Sequence, residues 1–351
     1  MLTYILRRIF LMIPTLIGMT LMLFMVLRFA PGVASGSALS SGGEMQSSEA
    51  RNEEIRRAKE RLGMVDKNGA AIPMWKQYFV WLGKTVKIDT YSVSGVNIPG
   101  PVVDLGTSVK YRKPIVELIK ERLPVTISIN IIATVIVYMI AIPGGMLSAA
   151  RRGATFDHAW SFFTISLYSL PVIWIGSMAI GFLANRDYLA WFPAAGLHVT
   201  DTTSHTFFEY AMDYLWHLAL PILVSTYGGF AYLSKQMRAS MLDNLELDYA
   251  RTARAKGLSG FVIATRHVFR NSLLPLITIA AGIIPGLLGG SVIIETMFSI
   301  KGMGELTYQA TLGRDLPVIQ ATGLVSGAIV LISYLITDIC YAIADPRVSY
   351  D

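Results

Sequence analysis

The stretch Asp248–Pro275, DYARTARAKGLSGFVIATRHVFRNSLLP, is basic and polar, yet it lies between two apolar segments of membrane-spanning length. Before Gly257, residues Leu242, Leu245, Tyr249 and Ala253 recur at helical spacing and so share one face. Gly257 reads as a helix stop, and the Ser259 hydroxyl is placed to cap the helix that follows. Beyond it Arg266 and Arg270 share a face, as do His267 and Asn271. Pro275 stands where a first-turn proline opens the next apolar run. The small residues Ala250, Ala253, Ala255 and Gly257 would let another backbone approach closely. The pattern predicts a helix–turn–helix finger suited to a partner's cleft. The alternative is a basic amphipathic helix lying on anionic lipid.

Working outward, the surroundings of this cassette are membrane-like. Of 351 residues, 53% are apolar and only 15% are charged, where a soluble domain carries about a quarter. The apolar residues fall in blocks. A helix crossing the hydrocarbon core needs about 20 of them in sequence, and six segments qualify: 9–29, 125–149, 157–184, 214–234, 274–297 and 318–341. Unpaired backbone groups are not tolerated in lipid, so each segment is read as a helix. Pro14, Pro143, Pro171, Pro221 and Pro285 then mark kinks or helix starts. The expected fold is therefore an all-α membrane protein with about six transmembrane helices. The first run follows Arg7 and Arg8 as in a signal peptide, but it is too long for a secretory core and is expected to stay as an anchor.

Charge sets the expected topology. Arg7 and Arg8, Arg151 and Arg152, the cassette cations from Lys235 to Arg270, and Arg347 all fall on one side; only Arg186, Lys301 and Arg314 occupy the short loops opposite. The positive-inside rule then makes both termini cytoplasmic. Three regions follow: 1–29, the cytoplasmic N-terminus and first span; 30–124, a long periplasmic segment; and 125–351, a five-helix core containing a cytoplasmic loop at 235–273. Within the long segment, 35–48 reads as a flexible Gly/Ser stretch, Ser47 to Gly63 as a solvated helix, and Met74 to Leu82 as a small aromatic element packed on the membrane or on a partner.

The net charge of +6 belongs to loops beside apolar spans, which fits membrane topology and not a nucleic-acid groove. The single cysteine, Cys340, excludes an intrachain disulfide. LGKT at 82–85 carries the end of a phosphate-loop pattern, but Tyr78 stands where its first glycine belongs, so no nucleotide site is read here. No catalytic or metal-binding set is expected: no cluster of His, Asp and Glu, around His217 or His267 or elsewhere, has convincing metal-ligand spacing, and His267 reads as a helix-face hydrogen-bonder. Polar residues at membrane depth are the remaining candidates. Glu295 is read either as a pathway carboxylate that captures a peptide amine or gates, or as an interfacial carboxylate paired to a neighbouring loop. Asn130 is read as a pathway residue or an interhelix hydrogen-bonder, and Asp338 as paired near the headgroups, with Arg347 as one partner. Trp160, Trp174, Trp191 and Trp216 read as interface anchors.

ARTARAKG and RHVFRNSLLP resemble the cytoplasmic signature loop of bacterial binding-protein-dependent ABC importer permeases, and more closely the branch importing dipeptides, oligopeptides and nickel. Where the general pattern begins Glu-Ala-Ala, this chain has Arg251, Thr252 and Ala253, as the peptide branch does. The resemblance extends through YILRRIFLMIPTLIGMTLMLFMVLRFAPG, RLG at 61–63, DLGTS at 104–108, RLPVTISI at 122–129, GGSVIIETMFSIKGMGEL at 289–306 and DLPVIQA at 315–321. Ile88 to Val103 looks like an insertion. The ending ADPRVSYD, with DYLWHLALP at 213–221, is most similar to the sub-branch associated with microcin C and peptide uptake.

The resemblance implies a permease of the bacterial inner membrane that does no chemistry and binds no cofactor itself. It implies a homologous second permease, two ABC ATPase subunits that hold ATP and Mg, and a periplasmic substrate-binding protein. The ATPase-coupling positions it implies are Ala250, Arg251, Ala253, Arg254, Ala255, Gly257 and Leu258. A nickel or other small-solute importer shares the architecture. An ion-gradient-driven secondary transporter is the reading from another class, and it would show paired broken or charged helices in symmetric halves. An intramembrane hydrolase would need a nucleophile and base that are not evident.

Overall fold

A computed structural model describes residues 2–29, most of 53–66, 69–93, 96–199 and 206–344. The chain is mostly helical. Its elements are α1 (Leu2–Phe29), α2 (Met74–Thr85), β1 (Val86–Val93), β2 (Val96–Val103), α3 (Ile115–Ala150), α4 (Thr155–Tyr168) and α5 (Val172–Met178), which continues as a π-helix over Ala179–Ala184. Then come α6 (Phe207–Leu245), α7 (Asp248–Ala255), α8 (Gly260–Val262), a second π-helix (Ile263–Val268), α9 (Phe269–Ser272), α10 (Leu274–Gly289), α11 (Val292–Met297), α12 (Met303–Leu312) and α13 (Leu316–Ala344).

Among the described residues, three helical stretches are long and apolar enough to cross a membrane: Tyr4–Phe29, Ile115–Ala150 and Leu316–Ile339. A fourth counts if Thr155–Tyr168 and Val172–Ala184 form one span, and these are bent by 91°. The span expected over 157–184, with Pro171 marking a kink or helix start, is thus divided into two helices at that proline. Pro171 has no N–H to continue the ladder, and the Leu170 carbonyl at the break accepts from the Tyr227 hydroxyl at 2.7 Å. The helix expected over 274–297 is likewise interrupted. Gly290, at φ +73° and ψ 175°, separates α10 from α11 in a backbone region open essentially to glycine. The segment 214–234 lies inside the 39-residue α6, where the weakly apolar run STYGG lowers its hydropathy.

The all-α expectation also needs one correction. Strands β1 and β2, which hold the described residues of the segment read as an insertion, pair antiparallel with Val86 opposite Val103 and Val93 opposite Val96. The Val, Ile, Thr and Tyr content of VKIDTYSV suits a strand.

Two compact units divide the described chain. The smaller comprises Leu6–Lys120 and Thr307–Ala328. There the aromatic element at 74–82 belongs to α2 and packs on α1: the Tyr78 hydroxyl lies 2.9 Å from Thr20 Oγ1, and Phe24 meets both Tyr78 and Trp81. Gly323 and Gly327, four apart on α13, lie against Leu23 and Met19 of α1, the small-residue spacing that lets membrane helices approach closely.

The larger unit comprises Met1–Ile5, Glu121–Leu306 and Ile329–Asp351. Its core gathers Ala141, Leu233, Met237, Met241 and Leu276 with cassette residues. A second cluster joins Ile129, Leu218, Leu220, Val224, Ile294 and Phe298.

Gly63 ends the helical residues before it at φ +67°, with its N–H on the Glu60 carbonyl. The flexible reading of 35–48 and the Asp338–Arg347 pairing fall outside the described residues.

Candidate functional site

Helix α7 leaves α6 after a two-residue turn and presents two unlike faces. Ala250 and Ala253 are buried at 0% and 6% exposure and pack with Leu242, Leu245 and Tyr249 into the core. Arg251, Arg254, Ala255, Gly257 and Leu258 are exposed. The stop occurs at Gly257, whose φ of +78° is costly for residues with a Cβ; its N–H goes to the Arg254 carbonyl and that of Leu258 to the Ala253 carbonyl. Ser259 Oγ then accepts from the Val262 N–H at 3.4 Å and caps the next helix.

The π-helix that follows explains a spacing that does not fit 3.6 residues per turn. Ile263, Ala264 and Val268 are all buried, and the wider turn carries Val268 back to the core five residues after Ile263. Arg266, His267, Arg270 and Asn271 are left exposed. Pro275 sits in the first turn of α10. Of the coupling positions implied by resemblance, five therefore face outward, while Ala250 and Ala253 hold α7 to its own bundle.

The second candidate region is built on α3. Arg122, Thr126 and Asn130 are spaced by four and so lie on one stripe. Arg122 pairs with Glu305, a partly buried contact. Thr126 Oγ1 donates to Glu295 at 3.0 Å and accepts from the Met303 N–H at 2.8 Å. Asn130 Nδ2 donates to the carbonyls of Gly286 and Leu287 at 3.1 and 3.2 Å. Those carbonyls belong to the last turn of α10, which has no further helical N–H to supply.

Glu295 is 2% exposed. One carboxylate oxygen accepts from Thr126 and from the Ser291 N–H, and the other from the Glu305 N–H at 2.8 Å, in the first turn of α12. A carboxylate at that helix end satisfies orphan donors and suits the dipole.

Other sequence candidates find ordinary partners. Trp160 donates from Nε1 to Ser234 Oγ at 2.6 Å and lies against Gly144; Trp174, Trp191 and Trp216 are about half exposed. His198 Nδ1 meets the Asp213 carboxylate at 3.1 Å, which ties residue 198 to α6, while His217 Nδ1 lies 2.9 Å from the Asp213 backbone carbonyl one turn back. His267 is exposed. Among the described residues, no group of three or more His, Cys, Asp or Glu is disposed to hold a metal ion.

Sequence reasoning missed the residues that hold the motifs together. DLGTS and DLPVIQA meet in the smaller unit: buried Asp315 accepts from Ser108 Oγ and from the Lys110 N–H at 3.0 Å. RLPVTISI and GGSVIIETMFSIKGMGEL meet in the larger one. The available signal was the four-residue spacing of Arg122, Thr126 and Asn130 along α3.

Long apolar helices joined by internal polar bonds, with an exposed basic cassette, define an integral membrane component. The chain belongs to the family of binding-protein-dependent transport system inner membrane components, which matches residues 141–350. The N-terminal membrane-component family of the same systems matches residues 1–130. The chain is 35% identical over 351 residues to the oligopeptide transport system permease protein AppB of Bacillus subtilis (strain 168), with all of both chains covered. It is 32% identical to the inner membrane ABC transporter permease protein YejB of Escherichia coli O157:H7, covering 99% of each chain. It is also 32% identical to the dipeptide transport system permease protein DppB of Alkalihalophilus pseudofirmus, covering 100% of each.

Proposed function

We propose that the chain is the transmembrane permease subunit of an ATP-driven importer for peptides, supplying half of the translocation pathway. Relatives named for oligopeptide and dipeptide transport, matched end to end, support the substrate class. The spans are α1, α3, the bent α4–α5 pair, α6, the interrupted α10–α11 pair and α13. Both termini and the cassette lie in the cytoplasm, and 30–124 in the periplasm, where the 86–103 hairpin helps receive peptide from a substrate-binding protein. A homologous second permease completes the pathway, and two ABC ATPase subunits supply ATP, Mg and hydrolysis.

The observation that carries this reading is the two-faced α7. Ala250 and Ala253 are buried in the bundle while Arg251, Arg254, Ala255, Gly257 and Leu258 face out, so an object docked on them is mechanically tied to α6. ATP-driven closure of the ATPases would then move α7 and α6 together and switch helix packing between discrete states. The test is purification of the tagged chain from its host's membranes in mild detergent. Co-recovery of a homologous permease and ABC ATPase subunits is expected. Recovery of the chain alone, even after gentle crosslinking, would overturn the reading in favour of a lipid-surface helix.

A further inference from the structure

We infer that Glu295 is a positioning residue that holds residues 290–306 to α3 during transport and is not a ligand for the peptide amine. This rests on the importer reading above. An ammonium ligand needs room beside the carboxylate and a way in, and the structure offers neither. Both oxygens already accept: Thr126 Oγ1 and the Ser291 N–H meet one, and the Glu305 N–H meets the other. Three glycines close the surroundings. A Cβ placed on Gly290 would lie 2.5 Å from Oε1, one on Gly302 would overlap Cδ, and one on Gly304 would lie 3.0 Å from Oε2. Backbone is packed against the carboxylate where a ligand would have to stand.

The same contacts describe a holding function. Counted along α3, the stripe reaches the break from both sides. Asn130 takes the carbonyls that end α10, Thr126 takes Glu295 and the Met303 N–H, and Arg122 takes Glu305 on α12. Farther along, the Tyr138 hydroxyl reaches the Leu276 carbonyl at 3.5 Å near the start of α10. The three nearer residues supply partners to backbone and carboxylate groups around the Gly290 interruption. Opening this seam in the membrane would strand several polar groups at once, in a medium that offers no replacement. The stripe and residues 290–306 therefore travel as one body, and the moving boundary of the pathway lies elsewhere.

The test uses the complete importer in proteoliposomes, with a free-amine tripeptide and its N-acetyl counterpart as probes. In Glu295→Gln the side-chain amide donates where the N–H groups need an acceptor, so maximal uptake falls severalfold. The ratio of KM values for the two probes stays within about twofold of the parent, because no amine contact is lost. A roughly tenfold change in that ratio, with the N-acetyl probe unaffected, overturns the assignment. Should Glu295→Gln fail to assemble, amide hydrogen exchange on the unaltered complex decides. The Met303 and Glu305 amides keep their protection with peptide present and with nucleotide trapped, whereas about tenfold faster exchange of either one in any state overturns the proposal. If the unaltered complex imports neither probe, the importer reading fails, and the exchange data still judge the role of Glu295.

Discussion

Asp157 receives Arg238 through two parallel bonds, Nε to one carboxylate oxygen and Nη2 to the other, each at 2.7 Å. The same carboxylate accepts from Ser148 Oγ and from the Gly153 N–H, so one buried side chain joins the end of α3, the turn after it, α4 and α6. Arg238 remains 30% exposed, and water screens part of the pair. Asp157→Ala should therefore cost about 2 kcal/mol, below the value for a fully buried pair. Asp157→Asn, which keeps one acceptor, should cost less. Thermal unfolding in detergent checks both, and equal losses would show that the acceptor Asn keeps contributes nothing once the charge is gone.

Gly257 separates two reasons for intolerance. Its φ is +78° and nothing lies within 4 Å of where a Cβ would be. Gly257→Ala therefore meets only backbone strain, about 1 kcal/mol, and should retain uptake. Gly257→Trp adds bulk to the exposed docking face and should abolish uptake with the protein still assembled in the membrane. Uptake and ATPase stimulation measured together decide it. Equal loss from both substitutions would place the sensitivity in the turn and not in docking.

Ala253 and Arg254 are neighbours with opposite surroundings. Asp at position 253 would bury an unpaired carboxylate beside Met237 and Met241, a loss of about 3 kcal/mol, so folded protein itself should decline. Arg254→Glu changes only the exposed face and should leave the protein folded while weakening ATPase recovery. Fluorescence-detected size exclusion with a pull-down distinguishes the two outcomes.

Much of this arrangement was legible in the residues, because periodicity and caps are local. The face carrying Leu242, Leu245, Tyr249 and Ala253, the stop at Gly257, the Ser259 cap and the Pro275 start all depend on neighbours within a turn or two. What was not legible depended on partners far away in sequence. Ala250 and Ala253 read as room for another backbone, and only the positions of α3 and α6 show that they pack inward. Asn130 gave no sign that its acceptors were carbonyls freed by Gly290, 156 and 157 residues distant. The bend at Pro171 was marked by the proline, but its 91° size follows from tertiary packing, with Tyr227 available to take the Leu170 carbonyl.

Asp315 offers a test confined to the smaller unit. It is 1% exposed and gathers Ser108 Oγ with the N–H groups of Val109 and Lys110. Asp315→Ala leaves those donors without their acceptor and should cost about 3 kcal/mol. Ser108→Ala removes one bond and should cost about 1 kcal/mol. Hydrogen exchange at Lys110 is the direct readout: strong acceleration in Asp315→Ala, slight acceleration in Ser108→Ala. Unchanged exchange in both would mean that the loop is held by other contacts.

Gly290 should be the least replaceable glycine of the apolar α10–α11 pair, for reasons that add. Its φ of +73° disfavours any Cβ, and a methyl there would sit 2.5 Å from Glu295 Oε1 and 2.7 Å from the Gly304 nitrogen. The second neighbour is backbone and cannot rotate away. Strain and overpacking together should cost about 3 kcal/mol in Gly290→Ala. Gly282 in α10 is a matched control, helical and with nothing within 4 Å of the place a methyl would take, so Gly282→Ala should be neutral. Thermal melting of the two variants side by side measures the difference. Similar melting temperatures would show that residues 290–304 relax without loss, against the close packing around Glu295.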